Sequence, residues 1–155
     1  MEDLASVKSL TEEAETALVV VGNPMVKDAI IAGTEACGFQ VVYADTPEVA
    51  FKKLKLHQYH LIVLADEDPL NKPLEKNPIF LFIRSLPMDM RRQIFVLLLS
   101  NQYKSQDGLT AFLKSVNMIV NVENIKVFKN LLRKGLAEHN RFYADFMATL
   151  QERAV

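Results

Sequence analysis

Residues 59–68 read Tyr-His-Leu-Ile-Val-Leu-Ala-Asp-Glu-Asp, an apolar run that ends in three acids. Its central part, residues 61–64, shows no polar alternation, and this pattern is typical of a strand that is buried on both faces of a parallel sheet. Ligands and catalytic groups in such sheets collect at the carboxyl ends of the strands. The residues after this strand are therefore predicted to lie where an active site would be: Ala65, Asp66, Glu67 and Asp68.

Four other short apolar segments predict strands: residues 16–21, 39–44, 94–99 and 118–120. Helices are predicted between them, because three of the intervening segments open with an N-capping residue and a first-turn proline. These pairs are Asn23-Pro24, Thr46-Pro47 (with Asp45 as the alternative cap) and Asn77-Pro78.

The predicted helices cover residues 24–37, 47–56, 78–86, 108–116 and 123–152, and Pro87 ends the third of them. Alternating strands and helices without hairpin signals predict right-handed crossovers and a parallel sheet that is covered on both faces. The predicted class is α/β. The architecture is a flavodoxin-like three-layer sandwich with a five-stranded parallel sheet in the order 2-1-3-4-5 and a long C-terminal helix.

Composition excludes several classes of function. The chain has 155 residues and a net charge of -1, so we expect one domain and no nucleic acid or acidic membrane as its main partner. Cys37 is the only cysteine, which excludes an internal disulfide or a multi-cysteine metal site. Residues 1–15 have no signal-peptide pattern, and the longest apolar runs are too short for a membrane helix. We therefore expect a cytoplasmic protein, and no cofactor is predicted, because no phosphate-cradling glycine motif is present.

Four segments carry a resemblance to a known family: residues 17–25 (Ala-Leu-Val-Val-Val-Gly-Asn-Pro-Met), 38–44 (Gly-Phe-Gln-Val-Val-Tyr-Ala), 59–64 and 95–101. Together they resemble the bacterial response-regulator receiver (CheY-like) domain over residues 16–136. The resemblance implies a signalling module of two-component systems. It also divides the chain into a flexible lead-in or linker (1–15), the receiver-like domain (16–136) and a C-terminal helix extension (137–155).

Receivers use an aspartate after the third strand as phosphoacceptor, an acidic pair after the first strand to hold Mg²⁺, and a lysine after the fifth strand. By the resemblance, the acidic pair falls on Val21 and Gly22, the nucleophile on Ala65 and the lysine on Val122, and only the hydroxyl position survives, as Ser100. The resemblance thus implies a non-catalytic pseudo-receiver that binds other proteins and is not an enzyme. The alternative is a phosphorylatable receiver in which a one-residue slip makes Asp66 the phosphoacceptor.

Other candidate sites are weaker. The acidic cluster at residues 66–68 could bind a divalent cation, but a solvated acidic loop is the favoured interpretation. His57 and His60 straddle a helix-to-strand junction, which disfavours metal binding. The basic groups at residues 52–55 and at Arg91-Arg92 are interpreted as solvated faces.

The last predicted helix is longer than the sheet requires. Its second half carries five apolar residues at spacings of three and four, which places them on one face: Phe142, Tyr143, Phe146, Met147 and Leu150. This C-terminal stripe is predicted to form a homodimer or to dock on a protein partner. The alternative is a helix that breaks near His139 and folds its tail back on the domain.

Overall fold

Five strands form one sheet in the computed structural model, which describes residues 15–66 and 74–154. The strands are β1 (Glu15–Val20), β2 (Phe39–Ala44), β3 (Leu61–Ala65), β4 (Phe95–Ser100) and β5 (Met118–Asn121). They are all parallel and lie in the order β2-β1-β3-β4-β5. The predicted flavodoxin-like sheet is thereby confirmed.

Six α-helices and two 3₁₀ helices are found in the described residues. The α-helices are α1 (Pro24–Ala36), α2 (Pro47–Leu54), α3 (Pro78–Ser85), α4 (Met88–Arg91), α5 (Gly108–Leu113) and α6 (Phe128–Ala154). The 3₁₀ helices are Leu74–Lys76 and Val122–Val127.

The three predicted asparagine- and threonine-capped helix starts are confirmed. The side-chain oxygen of Asn23 accepts a hydrogen bond from the Met25 amide at 2.9 Å, and that of Asn77 accepts from the Ile79 amide at 2.9 Å. Thr46, rather than Asp45, caps α2. In each case the following proline sits at the first helical position, where it has no amide hydrogen that would need a partner.

Alternate side chains along each strand belong to two separate apolar layers, one on each face of the sheet. In β3, Ile62 and Leu64 pack with α2, α3 and α5, while Leu61 and Val63 pack with α1 and α6. All four are fully buried, which explains why the apolar run shows no alternation.

Two glycines let α6 approach the rest of the domain closely. A Cβ at Gly135 would lie 2.5 Å from the Met118 sulfur, and a Cβ at Gly33 of α1 would lie 2.7 Å from the Phe128 ring. Real Cβ atoms do not pack at such distances, so a larger residue at either position would require the contacting side chain, Met118 or Phe128, or α6 itself to shift. Neither close approach could be predicted from the sequence pattern.

The start of the last helix was predicted wrongly. Residues Val122–Val127 form a 3₁₀ turn in which Asn124 has φ -97° and ψ 21°, and the α-helix begins only at Phe128. Asn121 caps this turn by accepting from the Glu123 amide at 2.9 Å. A polar residue that caps a short turn has the same sequence pattern as one that caps a long helix, which explains the error.

Several other boundaries shift. α4 was not predicted, because Pro87 was read as the end of α3 and a single turn is too short to show periodicity. α2 and α5 end two to three residues before their predicted ends, at Leu54 and Leu113. The predicted lead-in, apart from Glu15, and the acids Glu67 and Asp68 lie outside the described residues.

Candidate functional site

The carboxyl edge of the sheet brings together the positions that the sequence singled out. Val21 and Gly22 follow β1, Ala65 ends β3, Ser100 ends β4 and Val122 follows β5. The strand register places Ala65 beside Leu99 and Ser100 beside Asn121. These residues therefore share one edge, with Asp66 directly after Ala65.

Apolar side chains occupy most of this edge. Val21 is buried in the apolar layer beneath α1 and α6, and Ala65 and Val122 pack against the same layer. None of the three offers an oxygen ligand for Mg²⁺ or a charge for a phosphoryl group. Across residues 15–66 and 74–154, no three histidines, cysteines or acids are grouped so as to hold a metal ion.

Asp66 and Ser100 form the polar contact at this edge. The Ser100 hydroxyl donates to Asp66 Oδ2 at 2.6 Å, and Ser100 is fully buried. The same hydroxyl oxygen accepts from the Gln102 amide at 3.0 Å and the Tyr103 amide at 3.2 Å. Ser100 thus links the carboxylate to the loop that follows β4.

A second network fixes that loop to β5. The Asn121 amide side chain donates to the Tyr103 carbonyl at 2.7 Å, and the Asn121 backbone amide donates to Ser105 Oγ at 2.8 Å. Ser105 in turn donates to Asn124 Oδ1 at 2.6 Å. The sequence analysis missed the hydrogen bonds of Asn121 to Tyr103 and Ser105, although short polar residues after successive strands were a usable signal.

The helix α6 is continuous over 27 residues, which makes it about 40 Å long at 1.5 Å per residue. It has no break at His139, so the folded-back alternative is wrong. Contacts with the domain extend well beyond the sheet-covering residues Phe128 and Leu132. The centroid of the His139 ring lies 5.3 Å from that of Phe95 in β4, and Tyr143 of the same helix stacks on His139 at 6.4 Å.

Nearby arginines and burial both affect the side chains in the middle of α6. The Arg92 guanidinium lies 4.6 Å from the Phe146 ring centroid. Burial, and secondarily the positive charge of Arg91, lower the pKa of His139 below its usual value, so the neutral ring is favoured.

The predicted C-terminal stripe therefore divides in two. Tyr143 and Phe146 are half-buried against the domain, whereas Phe142, Met147 and Leu150 are 70%, 37% and 44% exposed. Leu109, Phe112 and Leu113 of α5 are also exposed. A groove of about 310 Å³ lies between α6 and α5, where Phe142 lines it together with Gly108 and Ala111 of α5.

The interpretation of Arg91 and Arg92 as a solvated pair is wrong. Arg91 donates to the carbonyls of Ile94 at 2.7 Å and Ser115 at 3.0 Å and to Asn117 Oδ1 at 2.9 Å. Its burial lowers its pKa, and Arg92 covers Phe146. Arg91 joins the residues that lead into β4 and β5, because one guanidinium group can donate to several acceptors at once.

Two other candidates have structural roles. His60 Nδ1 accepts from the Thr16 amide at 3.1 Å, which joins β3 to β1. Cys37 is half-buried, and burial raises the pKa of its thiol. Within the described part of the chain, no helix is long and apolar enough to cross a membrane.

Comparisons with known proteins agree on the fold. A response regulator receiver domain protein from Methanospirillum hungatei is 12% identical with a TM-score of 0.59, covering 83% of this chain and 98% of that one. A chemotaxis response regulator of Vibrio cholerae is 14% identical with a TM-score of 0.59, covering 79% and 99%. An orphan response regulator of H. pylori is 17% identical with a TM-score of 0.57, covering 79% and 96%.

No family model matches the chain, and neither does any curated protein. At these identities the likeness establishes the fold of response-regulator receiver domains, as the resemblance in the sequence implied.

Proposed function

We propose that this chain is a non-catalytic pseudo-receiver that acts by binding protein in bacterial signalling. The observation that carries the proposal is the apolar carboxyl edge. Val21, Gly22, Ala65 and Val122 stand where a working receiver needs two metal-binding acids, a nucleophile and a lysine. Phosphoryl transfer to a carboxylate depends on a cation that offsets the developing charge, and the side chains of these four residues provide no ligand for it.

The networks around Ser100 and Asn121 support the same conclusion. A receiver that responds to phosphorylation needs a loop that can rearrange, whereas here the loop after β4 is bonded to Ser100, and Asn121 bonds to its residues Tyr103 and Ser105. Breaking several buried or half-buried hydrogen bonds together is costly, because each polar group would lose its partner. These hydrogen bonds favour one conformation of the loop after β4.

A phosphorylation assay tests whether the carboxyl edge is inactive. Incubated with Mg²⁺ and acetyl phosphate, the intact protein should gain no phosphoryl mass, and beryllofluoride should leave the amide resonances near Ala65 and Ser100 unchanged. An adduct that Asp66→Asn removes would overturn the pseudo-receiver. An adduct that survives Asp66→Asn would show modification elsewhere and leave this edge inactive.

The second candidate function is the phosphorylatable receiver. It is favoured by one contact, the 2.6 Å hydrogen bond between Ser100 and Asp66, because it sets a carboxylate beside the surviving hydroxyl position. The strand register works against it. Asp66 follows Ala65 and so emerges on the opposite side of the strand from the position that the family uses.

We propose the C-terminal stripe, together with the exposed face of α5, as the protein-binding surface, with a second copy of this chain as its first occupant. Large apolar side chains at Phe142, Leu109 and Phe112 are 70 to 80% exposed. A groove lined by Phe142 and by Gly108 and Ala111 of α5 lies between the two helices. An exposed apolar area of this kind marks an interaction surface in soluble domains. Burying each of these side chains would contribute roughly 1.5 to 3 kcal/mol.

Light scattering tests the homodimer. The intact chain should have the mass of two copies, and Phe142→Glu should give a folded monomer. Ala148→Glu is the matched control, because Ala148 is exposed on the opposite side of α6 and should leave the dimer intact. A wild-type monomer at all concentrations would overturn the homodimer.

A further inference from the structure

The outer side of α6 carries positive charge that has no acidic partner. Four cations of this helix are exposed: Lys129, Arg133, Lys134 and Arg141. The segment from Phe128 to Ala137 contains three of them and no acid. Within the described residues, the one ion pair joins Lys114 to Glu75, so no cation of α6 is paired with an acid there.

The stability of α6 does not explain these charges. Lys129 lies in the first turn, where the helix dipole disfavours a cation, and that turn contains no acid. Arg133 follows Lys129 by four residues, a spacing at which like charges repel each other. Positive charge that opposes its own helix, and that no neighbouring acid offsets, attracts an anionic partner.

A groove of about 570 Å³ adjoins this side of α6, at the amino-terminal end of the sheet. Phe39 and Phe95, the first residues of β2 and β4, line it and are almost fully buried. Along α6 the lining runs from Arg133 to Tyr143, a rise of about 15 Å at 1.5 Å per residue. This length matches roughly four to five residues of an extended peptide, at about 3.3 Å per residue.

The charge of the groove has the same sign as that of the helix. Arg133 of α6 and Arg92, which follows α4, both line it, and Glu15 is the only acid among the described lining residues. The Cys37 thiol also lines the groove and donates to the Lys129 carbonyl at 3.7 Å. Burial raises the pKa of this thiol, and the positive charges of Arg133 and Lys129 act in the opposite direction. Both cations therefore lie close to the groove.

We propose that this groove binds an acidic peptide segment of a protein partner. An apolar residue of the segment packs against the half-buried Leu136, and its carboxylates pair with Arg133 and Lys129. Single-stranded nucleic acid fits less well, because its bases stack on exposed aromatic rings and Phe39 and Phe95 are almost fully buried.

This site goes beyond the proposed homodimer. The exposed Phe142 lines the other groove, between α5 and α6, and does not line this one. The two surfaces can therefore be tested independently.

Two peptides that differ in charge alone test the proposal on the full chain. The probe is acetyl-Glu-Glu-Leu-Glu-Glu-amide, and its uncharged counterpart has glutamine in place of every glutamate. In amide-resonance titrations at low ionic strength, the acidic peptide should shift residues around Phe39, Arg133 and Ala137. It should bind about tenfold more tightly than its counterpart, because each exposed ion pair contributes up to about fivefold. Added salt should reduce this preference, since it screens exposed charges.

The variant Lys129→Gln/Arg133→Gln should lose most of the preference and keep its fold, because both side chains are exposed. The matched control is Lys52→Gln/Lys55→Gln, which removes two exposed lysines at α2, on the other face of the sheet, and should keep the preference. Cys37 gives a second readout, because bound acidic peptide should slow its reaction with N-ethylmaleimide.

Equal affinity of the wild type for the two peptides would overturn the proposal, as would a preference that Lys129→Gln/Arg133→Gln retains. An oligothymidylate of about ten nucleotides that binds this groove more tightly than the acidic peptide would identify nucleic acid as the occupant instead. The variant Glu12→Gln/Glu13→Gln removes two acids that precede β1 in this chain. If it makes Cys37 react faster without any peptide, the chain's own acids occupy the groove, and the partner is excluded.

Discussion

The two halves of α6 carry the same apolar spacing and meet different surroundings. In the first half, Phe128 and Leu132 are fully buried against the sheet and α1. In the second half, Phe142 and Leu150 are largely exposed, although they repeat the same helical periodicity. Periodicity therefore identifies the apolar face of a helix, but what that face contacts depends on where the sheet ends beneath it.

The largest effect is expected from truncating one phenylalanine in each half. Phe128→Ala should lower the free energy of unfolding by about 3 to 5 kcal/mol, because it leaves a cavity in the core. Phe142→Ala should change it by less than about 0.5 kcal/mol in the monomer, because an exposed side chain loses little. Urea denaturation at two protein concentrations measures both. A comparable loss for Phe142→Ala at low concentration would mean that the second half is core.

A smaller effect is expected where α1 meets the buried half. Gly33→Ala should cost about 1 to 3 kcal/mol, because its Cβ would lie 2.7 Å from the buried Phe128 ring. The control is the same substitution in a Phe128→Leu background, where a smaller side chain relieves the clash and the cost should shrink. If the two costs are equal, the glycine is not required by this contact.

The smallest effect on stability is expected from His139, which lies where the two halves of α6 meet. The pKa of His139 is lowered in the folded protein, mainly by burial, so its unfolded value near 6.5 is the higher of the two. The unfolded state therefore takes up the proton first, and stability is complete above about pH 6.5 and falls as pH drops towards the folded value.

Denaturation at a series of pH values should show this loss in the wild type, while His139→Gln removes it. His57→Gln is the control, because His57 lies away from α6 and its substitution should leave the loss in place. A wild type and a His139→Gln variant with the same pH dependence would contradict the assignment.

Much of the fold was accessible from the sequence because its signals are local. Residues 61–64 are apolar without alternation, and the structure buries all four of them completely. The pairs Asn23-Pro24 and Asn77-Pro78 start helices because the asparagine accepts from nearby amides and the proline needs no partner. Such signals act within a few residues, so one sequence suffices to read them.

The polar contacts of the candidate site could be predicted only in part. The sequence placed Ser100 and Asp66 at one edge, but their 2.6 Å hydrogen bond depends on how β3 and β4 are aligned. The contacts of Arg91 with Ser115 and Asn117 span more than twenty residues of chain, so a reading of local charge took the arginine for a solvated one.

The sequence by itself determined the order of strands and helices and the strand arrangement. All of these follow from residue type and local spacing. The tertiary structure alone decided which part of the C-terminal stripe stays in contact with the domain, and that α6 continues through His139. These features arise where distant segments meet, and the free energy that selects them comes from packing between residues far apart in the chain.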